Sequence, residues 1–336
     1  MRDERSRSTG RPTLEEVAAR AGVGRGTVSR VVNGSAQVSP RAKKAVEEAI
    51  DALGYVPNRA ARALVTQRTD SIALVIFESG ERFFAEPFFG RIVQSISSVL
   101  VARNLQMVLM IAQAPEERRQ LEQYLTRQHV DGALLLSLHG EDPLPGILEE
   151  RGVPTVRVGR PIHPDALSYV DADNRGGARA AVNYLREQGR RCIATITGPL
   201  DMGVGIARYD GYRDVVGDGP AARGDFGELS GATAMEWLLQ QHPQIDAVFA
   251  ASDMMAAGAL RVLRRAGRRV PQDVAVIGFD DSVIARHTDP PLTSVYQPIE
   301  QMGQEMVRLL LTKLDGEDPV DGETILPTRL ILRGSA

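Results

Sequence analysis

"TLEEVAARAGVGRGTVSRVVNG", residues 13–34, decides how this chain is read. It holds two short helical patterns with almost nothing between them. In the first, Leu14, Val17, Ala18 and Ala21 recur at helical spacing. Thr13 is placed to cap its free amides, Glu16 completes a capping box, and Gly22 ends it. The second runs from about Arg25 to Val32, with Val28, Val31 and Val32 on its inner side and Gly34 as its stop. A third pattern follows. Ser39 caps it, Pro40 fills a first turn where the missing amide costs nothing, and Gly54 closes it. Ala42, Ala45, Val46, Ala49 and Leu53 line its apolar side.

Two short helices joined by a tight turn and braced by a third make a helix-turn-helix unit. The second helix of such a unit enters the major groove of DNA with its N-terminal end near the base edges. That accounts for Gly26, which by helix propensity costs about 1 kcal/mol relative to alanine. On the groove-facing side of the first turn, a residue without a side chain lets the backbone approach DNA. It also leaves Arg25 and Arg30 free to reach bases, and arginine to guanine is the commonest specific contact. Thr13, Thr27 and Ser29 suit phosphate contacts, and Asn33 at the helix end joins the DNA-facing set. The alternative is a structural three-helix bundle whose arginines only solvate it. A glycine and two arginines on an exposed helix serve no packing purpose there.

Charge agrees with this division. Residues 1–65 carry 12 Lys and Arg against 7 Asp and Glu, whereas the remainder carries 28 against 36. A basic head on an acidic body is the layout of a nucleic-acid reader with a separate second function. The chain has 336 residues, 43% of them hydrophobic, which suffices for two or three domains with buried cores. Cys192 is its single cysteine, so no internal disulfide forms. The first residues show no secretory signal and no apolar run is long enough to span a membrane, so the expected location is the cytoplasm.

"GYVPNRAARALV", residues 54–65, follows the head. Asn58 is placed to cap a short helix over residues 59–65, below the roughly 12–15 residues at which an isolated helix holds in water. It should fold only when packed against something. Leu64 is its best-placed apolar wedge, of the kind that minor-groove readers insert between base steps. Spacing alone leaves a wedge and a plain linker equally open.

The stretch from Thr13 to Leu64 resembles, without gaps, the DNA-binding head and hinge of the lactose/galactose repressor (LacI/GalR) family. The resemblance implies that Arg25, Gly26 and Arg30 read bases. It also implies that Asn58, Arg59 and Ala61 lie along a hinge helix, with Leu64 intercalating at the operator centre. Gly24 stands where many members carry serine, which removes one phosphate contact.

Beyond residue 70, apolar runs alternate with amphipathic helical stretches. The runs are "SIALVIF", "QMVLMIA", "GALLLSL", "PTVRVG", "CIATITG", "DAVFAAS" and "DVAVIGF". Such alternation implies parallel sheets covered on both faces, an α/β architecture. Two doubly wound sheets with crossings between them resemble the periplasmic-binding-protein-like effector domain that the family carries. The expected organisation is a head at 1–56 with a disordered arm at 1–11, a hinge and linker at 57–69, and an effector and dimerisation domain at 70–336. Within that domain, subdomain one takes 70–169 and 298–323. Subdomain two takes 170–297 and 324–336, including "TILPTRLILRG" as the last strand. Ligands in open parallel sheets bind beyond the carboxyl ends of the strands.

Candidate ligand contacts sit after those strands. "IFESGERFFAEPFFGRI" offers Phe83, Phe84, Phe88 and Phe89 as a platform for a sugar face, with Glu86 to accept hydroxyl hydrogen bonds. Ser137 stands near the end of the third run. By resemblance, Arg208, Phe226, Ser252, Asp280 and Gln297 match effector-contacting positions, while Asp253 reads as a helix cap. "RFFAEPFF", "LLLSLHGEDPLP", "ITGPLDM" and "FAASDMM" resemble the cello-oligosaccharide-responsive repressors of the family, which implies cellobiose or a related β-glucoside as the small sugar effector. Gly159 stands where some members carry a sugar-contacting aspartate.

The expected function is therefore a homodimeric repressor that reads a palindromic operator on double-stranded DNA and is released by sugar. No enzyme chemistry, cofactor, metal or membrane is called for. The five histidines show no metal-ligand spacing. No leucine heptad follows the last predicted strand, so a dimer is expected. The alternative is a sugar-binding or glycoside-hydrolysing protein with an unrelated helical head, using Glu86 and Asp280 as paired carboxyls.

Overall fold

The computed structural model describes residues 12–32, 37–56, 68–140, 142–163, 168–317 and 322–336. The chain divides into two compact units, Met1–Thr69 and Asp70–Ala336.

In the first unit, α1 (Leu14–Ala21), α2 (Arg25–Val32) and α3 (Pro40–Leu53) stand where the patterning places them. The Thr13 hydroxyl accepts from the Glu16 amide at 3.3 Å, and the Glu16 carboxylate accepts from the Thr13 amide at 2.8 Å. Gly22 and Gly54 terminate α1 and α3 with φ of 65° and 64°, a left-handed turn that glycine makes without strain. Val17, Val28 and Val46 are fully buried at the point where the three helices meet, joined by Ala18, Ala49 and Tyr55. Tyr55 was absent from the expected core because it lies beyond the last helical repeat. The stop at Gly34 and residues 57–67 of the expected hinge and linker at 57–69 lie outside the described residues.

The second unit holds two six-stranded sheets. Its strands are β1 (Ser71–Ile76), β2 (Gln106–Ile111), β3 (Gly132–Leu136), β4 (Thr155–Val158), β5 (Ser168–Ala172) and β6 (Ile193–Thr197). They continue with β7 (Ala221–Arg223), β8 (Ala247–Ala250), β9 (Ala275–Asp280), β10 (Thr293–Tyr296), β11 (Glu323–Leu326) and β12 (Arg329–Ile331). The orders are β11-β5-β4-β3-β1-β2 and β12-β10-β9-β8-β6-β7. Among the described residues, every pairing is parallel except β10 with β12.

The continuous apolar runs have their cause in burial on both faces. Ile72, Leu74 and Ile76 of β1 pack with the helices Pro87–Ala102 and Ile299–Leu314. Ala73 and Val75, pointing the other way, pack with Pro115–Thr126 and Leu144–Glu150. β8 repeats the scheme in the second lobe, with Val248 and Ala250 on one face and Ala247 and Phe249 on the other. Burying one such Leu, Ile or Phe side chain contributes about 1.5–3 kcal/mol.

The lobe boundaries differ from the expected ones. β5 pairs with β4 through Ser168 and Val156, and β11 pairs with β5 through Leu326 and Ala172, so 168–172 and 323–326 belong to the first sheet. "TILPTRLILRG" is thus two strands in two sheets. Pro327 separates them, because it donates no ladder hydrogen bond. The chain crosses between lobes after β5, after β10 and after β11. The first and third crossings are tied together: the Asp173 amide donates to the Leu326 carbonyl at 2.8 Å, and the Thr328 hydroxyl donates to the Asp173 carbonyl at 3.1 Å.

Candidate functional site

The carboxyl ends of the strands in both lobes border one cleft of about 750 Å³. Arg82, Glu86, Ser137 and Asp171 reach it from the first lobe, and Asn174, Arg208, Phe226 and Asp280 from the second.

Arg208, on the helix Gly203–Val216, is the centre of the polar wall and only 4% exposed. Its Nε donates to Asn174 Oδ1 at 2.9 Å, Nη1 to the Ala251 carbonyl at 2.6 Å and Nη2 to Gln297 Oε1 at 2.7 Å. Asp280 Oδ1 lies 3.2 Å from Nη2. The guanidinium sits 3.7 Å from the Phe279 ring centroid and 5.6 Å from that of Phe226. Burial pulls its pKa below the ordinary range, and Asp280 and Asp171 oppose that pull. Such a buried cation persists because each part of its fork has a partner.

The carboxyls respond to the same desolvation. Burial lifts Asp171 to about 6, against hydrogen bonds from the Arg160 and Ala172 amides. Asp171 also accepts from Asn174 Nδ2 at 2.8 Å, which joins β5 of the first lobe to Arg208 of the second. Burial lifts Glu86 to about 7, although Arg82 Nε lies 2.6 Å from its Oε1. Arg82 also holds Glu78 at 3.1 Å and lies 5.5 Å from the Phe226 ring centroid across the cleft.

Backbone strain concentrates here. Ser137, Phe226 and Asp280 have φ of 57°, 73° and 102°. Such conformations cost on the order of 1–3 kcal/mol each and persist where the surroundings over-determine them. Phe226 is held by the Ser252 hydroxyl, which donates to its carbonyl at 2.8 Å, and its ring occupies the space left by Gly198, where a Cβ would lie 2.3 Å from ring carbons. Gly203 permits a second close approach: a Cβ there would lie 2.2 Å from the Arg160 carbonyl oxygen.

Of the residues singled out from sequence, Glu86, Ser137, Arg208, Phe226, Asp280 and Gln297 meet at the cleft. Phe89 borders it but is 2% exposed and belongs mainly to the first lobe's core. Phe84 does not join them. It is 83% exposed on the short helix Gly80–Ala85, touching Phe83 edge-on at 4.9 Å, because successive helix positions cannot share one face. Ser252 lies behind the wall as the cap of the helix Asp253–Arg265, accepting from the Met255 amide at 3.1 Å. Asp253 is not the cap: it accepts from the Ser282 amide at 2.6 Å and the Ser294 hydroxyl at 2.5 Å. Asp280 and Asp281 are engaged separately, the first by Arg208 and the second by Arg333 at 2.5 Å.

Sequence reasoning does not single out Arg82, Asp171 or Asn174, which line the cleft. The signal available for the last two was "DADN", a knot of acids and an amide at a strand-to-helix junction. Among the described residues, no His, Cys, Asp and Glu side chains group so as to hold a metal ion.

On the head, Arg25 and Arg30 are exposed on α2, and Arg25 Nη1 lies 3.2 Å from Glu15 Oε1. A Cβ at Gly26 would meet only Arg30, at 3.8 Å, so the head's own packing does not require glycine there. The Thr13 hydroxyl is engaged in the cap of α1. Thr27 and Ser29 are half-buried on α2. Asn33, Asn58, Arg59, Ala61 and Leu64 lie outside the described residues.

Comparison with known proteins matches both units. Residues 13–58 match the model for bacterial regulatory proteins of the lacI family, and residues 182–336 match a periplasmic binding protein-like domain. The HTH-type transcriptional regulator CelR of Thermobifida fusca is 54% identical over 334 residues, covering 97% of this chain and 98% of that protein. The structure of a CelR–cellobiose complex is similar with a TM-score of 0.77 at 52% identity, over 97% of this chain and all of that one. The lac repressor dimer bound to operator and the anti-inducer ONPF gives a TM-score of 0.86 at 28% identity, over 97% of this chain and 99% of that one.

Proposed function

The chain belongs to the lacI family of bacterial regulatory proteins, and from that premise we propose that it is a transcriptional repressor of sugar-utilisation genes, released from a palindromic operator by cellobiose or a related cello-oligosaccharide. The observation that carries this reading is the extent of the likeness to CelR, which runs through 97% of the chain and so takes in both the head and the cleft.

In this reading Arg25 and Arg30 reach base edges, Gly26 lets the helix backbone approach the DNA, Thr27 and Ser29 meet phosphates, and Asn33 joins the DNA-facing set. Residues 58–64 form the hinge in the minor groove, with Leu64 as the wedge. The cleft suits a neutral polyol. Arg82 and Arg208 face carboxylates of the protein itself, so the wall offers hydrogen bonds without a large net charge, and Phe226 offers a ring face. The chain acts by binding and not by turnover. Asp280 is held in the wall by Arg208. It works as a homodimer in the cytoplasm, since a two-fold protein matches a palindromic site. Among the described residues, no helix is long and apolar enough to cross a membrane.

The test is a gel shift with a duplex carrying the palindromic site. The protein should retard the duplex, and cellobiose should reverse the shift where maltose does not. Retardation that no glucoside reverses would remove the sugar from the proposal, and hydrolysis of cellobiose without retardation would favour an enzyme.

A further inference from the structure

His139 stands in the loop after β3, outside the ligand-lining wall, with a carboxylate at each ring nitrogen. Nε2 lies 3.3 Å from Oε1 of Glu78, which follows β1 of the same lobe. Nδ1 lies 3.0 Å from Oδ2 of Asp201, which follows β6 of the opposite lobe. Beside it, the Gly140 amide donates to the Asp201 carbonyl at 2.7 Å. Glu78 is 6% exposed and His139 26% exposed, so both are shielded, while Asp201 is open at 57%. A neutral imidazole has one N–H and one lone pair, so it satisfies only one of two carboxylates and presents electron density to the other. The imidazolium satisfies both.

We propose that His139 is a positioning residue, a proton-operated clasp that ties Glu78 of the first lobe to Asp201 of the second and holds the lobes together around the effector. Among the described residues, the other charges close to this contact are already engaged. Arg82 pairs with Glu78 Oε2 and with Glu86, and Arg118 pairs with Asp142 further along the same loop. The two carboxylates raise the His139 pKa above 6.5, with Glu78 the larger cause and burial opposing. Separating the lobes removes Asp201 and lowers it again. Closure therefore takes up a proton, and it becomes easier as pH falls through the folded-state pKa. The consequence for the effector rests on the sugar-responsive reading above.

Two measurements test the clasp, one of them independent of sugar. By NMR, the His139 Cε1–H signal, identified by its loss in His139→Gln, should titrate above 6.5 in the wild type and move toward 6.5 in Asp201→Asn. A titration indifferent to Asp201→Asn overturns the proposal. By calorimetry, wild-type affinity for cellobiose should rise as pH falls from 8.5 to 5.5, about tenfold for each unit by which closure raises the imidazole's pKa. Glu86 and Asp171 also titrate in this cleft, so the variants decide: His139→Gln and Asp201→Asn should lose most of the rise. Variants that keep the wild-type profile overturn the clasp. If cellobiose binds at no pH while the NMR response persists, the sugar assignment falls and the clasp stands.

Discussion

Arg208 shows what a single side chain is asked to do in this cleft. Its planar fork reaches Asn174, the Ala251 carbonyl, Gln297 and Asp280 together, and the first of these leads back to Asp171 on the other lobe. Lysine carries its donors on one nitrogen and cannot span that set. Arg208→Lys should cost about 3 kcal/mol of stability, the scale of breaking a buried ion pair, and should weaken cellobiose binding at least tenfold. Urea unfolding and calorimetry check the two parts. Glu86 gives a prediction with a definite sign. Its folded pKa of about 7 exceeds the ordinary 4.5, so below 4.5 both states are protonated and no penalty exists. As pH rises from 4.5 to 7 the unfolded carboxyl ionises first, and stability falls until the folded carboxyl also ionises. Glu86→Gln should therefore gain on the wild type between pH 5 and pH 8, by up to ~3 kcal/mol at 1.36 kcal/mol per unit, the pairing with Arg82 being already contained in that pKa. Melting temperatures across that range read the difference, and a gap that stays constant with pH would contradict it.

Elements differed in how far they could be read from sequence. α1 and α3 of the head were legible because each carries its own punctuation: Thr13 and Ser39 at the starts, Gly22 and Gly54 at the ends. β1, β3 and β8 were legible because burial on both faces demands unbroken apolar runs. β5 reads "SYVDA", and its Asp171 is buried only because Asn174 and nearby amides satisfy it, a debt that one-dimensional hydropathy cannot see. β7 has three residues, too few for any period. Phe84 was misplaced because an aromatic cluster in sequence does not reveal which members a short helix turns outward. Two predictions belong at this scale. Thr13→Ala removes the hydroxyl from the capping box and should lower head stability by about 1 kcal/mol, read by thermal melting of the head's transition. Gly203→Ala sets a methyl against the Arg160 carbonyl where the helix Gly203–Val216 meets the first lobe. It should weaken cellobiose binding at least tenfold while leaving operator affinity without sugar unchanged, as gel shifts would show.

At the scale of the molecule, β2 ends the first sheet, and it is an apolar strand left partly open. Leu109 is 40% exposed, and Val101 on the adjoining helix Pro87–Ala102 is 68% exposed. An open edge of this kind invites pairing unless something covers it. A second copy is the cover that the proposed homodimer supplies. Leu109→Asp should shift the protein toward monomer in light scattering and weaken operator binding steeply. A variant still dimeric at micromolar concentration would place the contact elsewhere. The three crossings between the lobes carry a further consequence. A body strung on one strap can twist, tilt and slide. One strung on three, two of them stitched at Asp173, has most of those motions taken away and keeps chiefly a swing about a single line. Occupancy of the cleft is then converted into an angle and not into general stiffening, so residues lying on that line stay still while those far from it travel furthest.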